Sequence, residues 1–252
     1  MRGLAVAVRI ELLKLKRTLA LATCFVAPLV VVALQVAIWL RMKEGFGADV
    51  EPWLAFHKNA LSMWGVFMLP LATALVVALV SHAEHANQGW LRLGVLPLPR
   101  WVVPAAKALV ATGLLLLATG VLVLGCLGGA VLADALHPKI ALETAAPVAT
   151  MLGRTARVFG AALLVLAIQN AVSLRFPSIV VSLGTGVAGT FLALFASGSR
   201  LGPYYPWLMP LHALHGKEEA VVLSVALGAA GGLVLLALTV ALAARRDPGL
   251  KG

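Results

Sequence analysis

The chain has 252 residues, 61% of them hydrophobic and only 12% charged, with a formal net charge of +10. Soluble globular domains carry about 25% charged residues, so this composition excludes a water-soluble domain and points to a chain solvated mainly by lipid. Its two cysteines, Cys24 and Cys126, are too few for a disulfide framework or a metal-thiolate cluster and read as packing residues.

The first element is residues 4–17, "LAVAVRIELLKLKR", in which Leu4, Val8, Leu12 and Leu15 recur at spacings of three and four. This is an amphipathic helical pattern. It is expected to lie along the cytoplasmic interface with its apolar stripe in the acyl boundary and its lysines at the headgroups; the alternative is that it extends the first span into water. Six apolar runs follow, at approximately 18–40, 60–81, 105–132, 156–174, 177–198 and 219–244. At about 1.5 Å per residue each can cross a hydrocarbon core of about 30 Å. The first exceeds the roughly 7–15-residue core of a signal peptide and has no small-residue cleavage site before Trp39, so it reads as a retained span. The expected fold is therefore all-α: one transmembrane domain over 1–252 with six membrane helices and both termini cytoplasmic.

Pro28 and Pro70 interrupt the first two spans and are expected to bend them. Gly125 and Gly129 in the third span, and Gly228 and Gly232 in the sixth, are four residues apart, with Ser182 and Gly186 a weaker pair in the fifth. Such spacing lets helix backbones approach closely in lipid. Arg175, Phe176 and Pro177 must form a tight cytoplasmic turn that makes spans four and five antiparallel neighbours. The last outer connector, "RLGPYYPWLMP", supplies Tyr204, Tyr205 and Trp207, residue types suited to the headgroup belt.

On this topology twelve Lys and Arg residues flank the side that holds the termini, against eight on the other side, where seven acidic residues offset them. The bias places the termini inside. The basic balance then reflects insertion and contact with anionic lipid, not nucleic acid.

The apolar cores hold no Asp, Glu, Lys, Arg or His well away from an end; the nearest polar groups are Gln35, Gln169 and Asn170. Intramembrane charges mark proton relays and ion sites, so a cation-coupled carrier is disfavoured. The "HAEH" run at His82, Glu84 and His85 lacks the HExxH spacing of a zinc site and reads as loop polarity. No GxxxxGK[ST] phosphate cradle occurs, so this chain binds no ATP in the P-loop manner. Energy has to come from a partner.

A partner acting from the cytoplasm needs a handle. Residues 83–93, "AEHANQGWLRL", are read as a short helix parallel to the membrane, ended by Pro97 and Pro99 with Arg100 at the interface. The early "ELLKLKR" (Glu11, Lys14, Lys16, Arg17), then Glu84, Gly89, Arg92 and Leu93, then Pro97, Arg100, Ala106 and Lys107, in a six-span chain, resemble the permease subunits of type-2 ATP-binding-cassette exporters. The "RFPSIVVSLGTGVAGTF" and "YYPWLMP" stretches are similar, more narrowly, to lantibiotic-immunity permeases.

The resemblance implies a half-transporter in the bacterial cytoplasmic (inner) membrane: two permease chains, the second a copy or a relative, above two cytoplasmic ATPase subunits that bind ATP and Mg. No cofactor is expected in this chain. By that analogy residues 4–17 are the interfacial connecting helix, with Glu11, Lys14, Lys16 and Arg17. Residues 84–93 are the coupling helix, with Glu84, Gly89, Trp90, Arg92, Leu93, Pro97 and Arg100 facing the ATPase. The cargo expected is an amphipathic peptide or lipid-like molecule. A non-transporting scaffold for a sensor or cofactor-maturation complex shares these features except the need for nucleotide-dependent motion.

Overall fold

A backbone in hydrocarbon must satisfy its own polar groups, which leaves an apolar chain of this kind the helix. The computed structural model describes residues 2–15, 18–42, 50–86, 99–137, 140, 142, 144–176 and 178–245, without the side chains of residues 2 and 82–86. Among the described residues every regular element is helical. The N-terminal helix Arg2–Leu15 precedes six helices long and apolar enough to cross a membrane: Leu19–Trp39, Pro52–Ser81, Val102–Leu136, Val148–Arg175, Ile179–Ala196 and Glu218–Ala244. A short helix, Met209–His215, lies between the fifth and sixth. Six crossings put both chain ends on one side of the bundle, called here the terminal side; the other is the distal side.

Spans two and four begin eight residues earlier than the apolar runs indicated, at Pro52 and Val148 rather than 60 and 156. His57 and Lys58 interrupt the first run, as Arg154 and Thr155 do the second, yet none of them stops a helix. At 30 and 28 residues, these spans are about 45 and 42 Å long against a core of about 30 Å. Their lengths exceed what one crossing requires, and the residues added beyond the apolar runs lie at their distal ends.

Spans two and four form the centre. Their apolar windows are 61% and 56% buried, against 17% for span six and 28% for span five. Span three packs on spans one and two, span five on span two, and span six on span four. All three small-residue pairs sit at helix crossings. A Cβ at Gly129 would lie 2.7 Å from Val32 Cγ1, one at Gly186 would strike Ala74 Cβ, and one at Gly232 would lie 2.6 Å from the Leu163 carbonyl carbon. Absence of Cβ is what permits the approach.

Two wide π turns interrupt the helices. Trp64–Met68 ends two residues before Pro70, and there the Leu69 N–H reaches back to the Trp64 carbonyl. In an α-helix the Pro70 ring would collide with the carbonyl four residues earlier, and the wider turn relieves that. The second, Leu227–Gly231, carries Gly228 onto the Ala161 backbone of span four.

The aromatic connector departs from its expected position in the headgroup belt. Tyr204 is exposed, but Trp207 is buried, with its indole in the gap that a Cβ on Gly189 would fill. Tyr205 stacks on it at 5.6 Å and donates from its hydroxyl to the Gly189 carbonyl at 2.8 Å. Two of the three rings thus seal span five to the connector rather than anchoring in headgroups.

Candidate functional site: the terminal-side junction

The N-terminal helix splits the apolar stripe that its spacing indicated. Leu4, Ala7 and Val8 pack against Val102 and Ala106 at the start of span three, and Leu15 is buried in the main core. Leu12 stays exposed together with Val6, Ile10 and Leu13. Its place on the buried face is taken by Glu11, only 5% exposed. An acid there needs a partner.

That partner is Lys107, the sixth residue of span three and fully buried. Its ammonium donates to Glu11 Oε2 at 3.0 Å and to the Val80 carbonyl at 2.6 Å. The other carboxylate oxygen, Oε1, accepts from Lys14 Nζ at 2.9 Å. One cation therefore joins three elements: the N-terminal helix, the last turns of span two and the first turns of span three.

Burying an ammonium and a carboxylate costs several kcal/mol each unless charge and hydrogen bonds compensate. Here the carboxylate is shared between two ammonium groups, and Lys107 has a carbonyl acceptor as well. Lys14 lies near the surface, so its share is screened. The lock presents no group to a reacting molecule. What it offers is stiffness, and it brackets the chain between Val80 and Lys107.

Within that bracket, the helix of span two runs on to Ala86, so residues 83–86 of the expected coupling helix continue it. Glu84 lies on this continuation; its side chain, and Gly89, Trp90, Arg92, Leu93 and Pro97, lie outside the described residues, as do Lys16 and Arg17. Arg100 is exposed in the turn that leads into span three. The structure thus brings Glu11 and Lys14 together with Lys107 and adds the Val80 carbonyl, which no side-chain motif could name. The signal available in the sequence was a lone acid at the spacing of a buried face and a lone lysine just inside an apolar span.

The distal extensions carry a second polar group. Fully buried His57 has Nε2 3.0 Å from Thr155 Oγ1. The threonine hydroxyl spends its proton on the Met151 carbonyl at 2.9 Å, so it accepts from His57 and fixes the tautomer with hydrogen on Nε2. Ser62 Oγ meets His215 Nε2 at 2.6 Å, joining the connector helix to span two. Burial lowers the His215 pKa from its ordinary value, and the nearby Lys58 charge lowers it further. His212 is likewise lowered by burial, against a smaller opposing effect of a backbone hydrogen bond with Gly202.

A family model described as "ABC-2 family transporter protein" matches residues 7–193, from the N-terminal helix through most of span five. No curated protein matches the chain.

Proposed function

Because this chain belongs to the ABC-2 family of transporter proteins, we propose that it is the permease of an ATP-driven exporter in a bacterial inner membrane, worked by a separate cytoplasmic ATPase. The terminal side is then the cytoplasmic side, as the excess of lysine and arginine there favours. Two permease chains stand above two ATPase subunits, which supply the ATP and Mg sites. The ATPase grips residues 84–93, with Glu84 and Arg92 making charge-assisted contacts.

The observation that supports this reading most directly is the junction of Glu11, Lys107 and Val80. A segment pushed from the cytoplasm moves the bundle only if its two ends are fixed to each other and to their neighbours. Lys107 ties the end of span two to the start of span three, and Glu11 adds the interfacial helix to the same unit. The cargo is an amphipathic peptide or lipid-like molecule, which the narrower likeness around residues 175–191 and 204–210 favours and which needs no fixed charge in the cavity wall.

The test is co-reconstitution of the chain with its ATPase and comparison of Glu84→Arg with wild type. Substrate-stimulated ATP hydrolysis and extrusion both fall while the bundle melts as before. Unchanged hydrolysis and extrusion would refute the placement of the grip.

A further inference from the structure

Near their terminal-side ends, spans four and six border a groove of about 340 Å³ whose lining includes Ala171, Val172, Arg175, Leu235, Leu238 and Thr239. Nothing in the proposed coupling uses it. We propose that this groove holds one acyl chain of an anionic phospholipid from the terminal-side leaflet, with the lipid phosphate on Arg175.

The lining dictates the occupant. Apart from Arg175 and Thr239 the lining residues are apolar, and the Thr239 hydroxyl is already spent on the Leu235 carbonyl at 2.7 Å. A polar ligand inside would find no partner there, whereas a hydrocarbon chain needs none. From Leu235 to Ala243 the span-six wall advances eight residues, about 12 Å at 1.5 Å per residue, which suits an extended chain segment. The volume falls within the roughly 300–1,000 Å³ of small-molecule sites.

Charge selects the headgroup. Arg175 ends span four, where the helix dipole favours a cation, and its guanidinium lies 5.5 Å over the Phe176 ring. No carboxylate pairs with it among the described residues. Arg245 follows the last turn of span six on the same side of the bundle. A guanidinium binds a phosphate through paired hydrogen bonds, and basic pockets between membrane helices recruit anionic headgroups.

The experiment uses the purified full chain in mild detergent, with phosphatidylglycerol or phosphatidylcholine of the same acyl length added and retention read by native mass spectrometry. Wild type retains one phosphatidylglycerol and holds phosphatidylcholine about tenfold less tightly, because the choline ammonium cancels the net negative charge that the phosphate otherwise presents to Arg175. Arg175→Gln removes that preference but keeps the weaker binding, while Thr239→Trp fills the groove and weakens both lipids about tenfold or more. Melting temperatures of the lipid-free variants confirm that each is folded. Equal retention of the two lipids by wild type, or a preference that survives Arg175→Gln, overturns the proposal. So does efficient crosslinking of Leu238→Cys between two copies of the chain, which would make the groove a protein interface.

Discussion

Lys107→Met isolates the contribution of the terminal-side lock. It leaves the Glu11 carboxylate, 5% exposed, with Lys14 as the ion-pair partner still in reach at 2.9 Å. Removing one member of a buried pair costs about 3–5 kcal/mol, and the low end applies because the near-surface Glu11–Lys14 pair, already made in wild type, still partly neutralises the carboxylate. The single variant is therefore destabilised by about 3 kcal/mol. Glu11→Leu combined with Lys107→Met removes both charges, and such double replacements are often neutral or stabilising by about 1–4 kcal/mol. The cycle of single and double variants should thus give an interaction energy above about 2 kcal/mol, measured by denaturant titration of helicity in mixed micelles. The same double variant, folded and stable, is then assembled with the ATPase, and its substrate-stimulated hydrolysis drops well below wild type. Either a Lys107→Met chain within about 0.5 kcal/mol of wild type, or a double variant that hydrolyses and exports normally, would refute the reasoning.

On the distal side, His215 and His212 are held below the ordinary 6.5, so the unfolded chain binds protons that the folded chain does not. Their contribution to stability is complete above about 6.5 and falls as pH drops through the lowered folded values. Melting temperature should decrease from pH 7.5 to 5.5, with a smaller decrease in His215→Asn; an increase on acidification contradicts this. Gly189→Ala would put a Cβ 2.5 Å from Trp207 Cζ2, so the indole must leave its seat at a cost of about 1–3 kcal/mol, visible as a red shift in tryptophan emission. Gly232→Val should separate span six from span four and lower the melting temperature by several degrees. Gly231→Val, whose Cβ meets only the Leu164 methyls at 3.6 Å and beyond, should be far milder, and equal effects would discredit the crossing.

The number and placement of the spans were legible because hydrocarbon imposes a length on any helix that crosses it. Their distal ends were not, since hydropathy measures the solvent of a helix rather than the helix. His57, Lys58, Arg154 and Thr155 lower the apolar signal while leaving the backbone hydrogen bonds intact. Glycine pairs were legible as places of close approach, although nothing near them in the chain identifies the opposing residue. Trp207 misled for a related reason: an aromatic in a distal loop has the chemistry of a headgroup anchor until a vacancy at Gly189, eighteen positions earlier, gives it an interior seat.

The lock was hidden most deeply, because its two charges are 96 residues apart and each, read alone, belongs to an interface. Stability by itself does not account for it, as apolar side chains of similar size would hold the helices as well or better. Leucines, however, tolerate rotation of the N-terminal helix about its axis. A carboxylate that must meet one ammonium, which in turn must meet the Val80 carbonyl, does not, since any other register buries an unpaired charge. Register of that kind matters little to a passive anchor and a great deal to a helix that has to move with the ends of spans two and three. The coupling readout of the double variant therefore separates the two: a passive anchor still exports normally with Glu11→Leu and Lys107→Met, whereas a transmitting joint loses its coupling even where its stability is kept or raised.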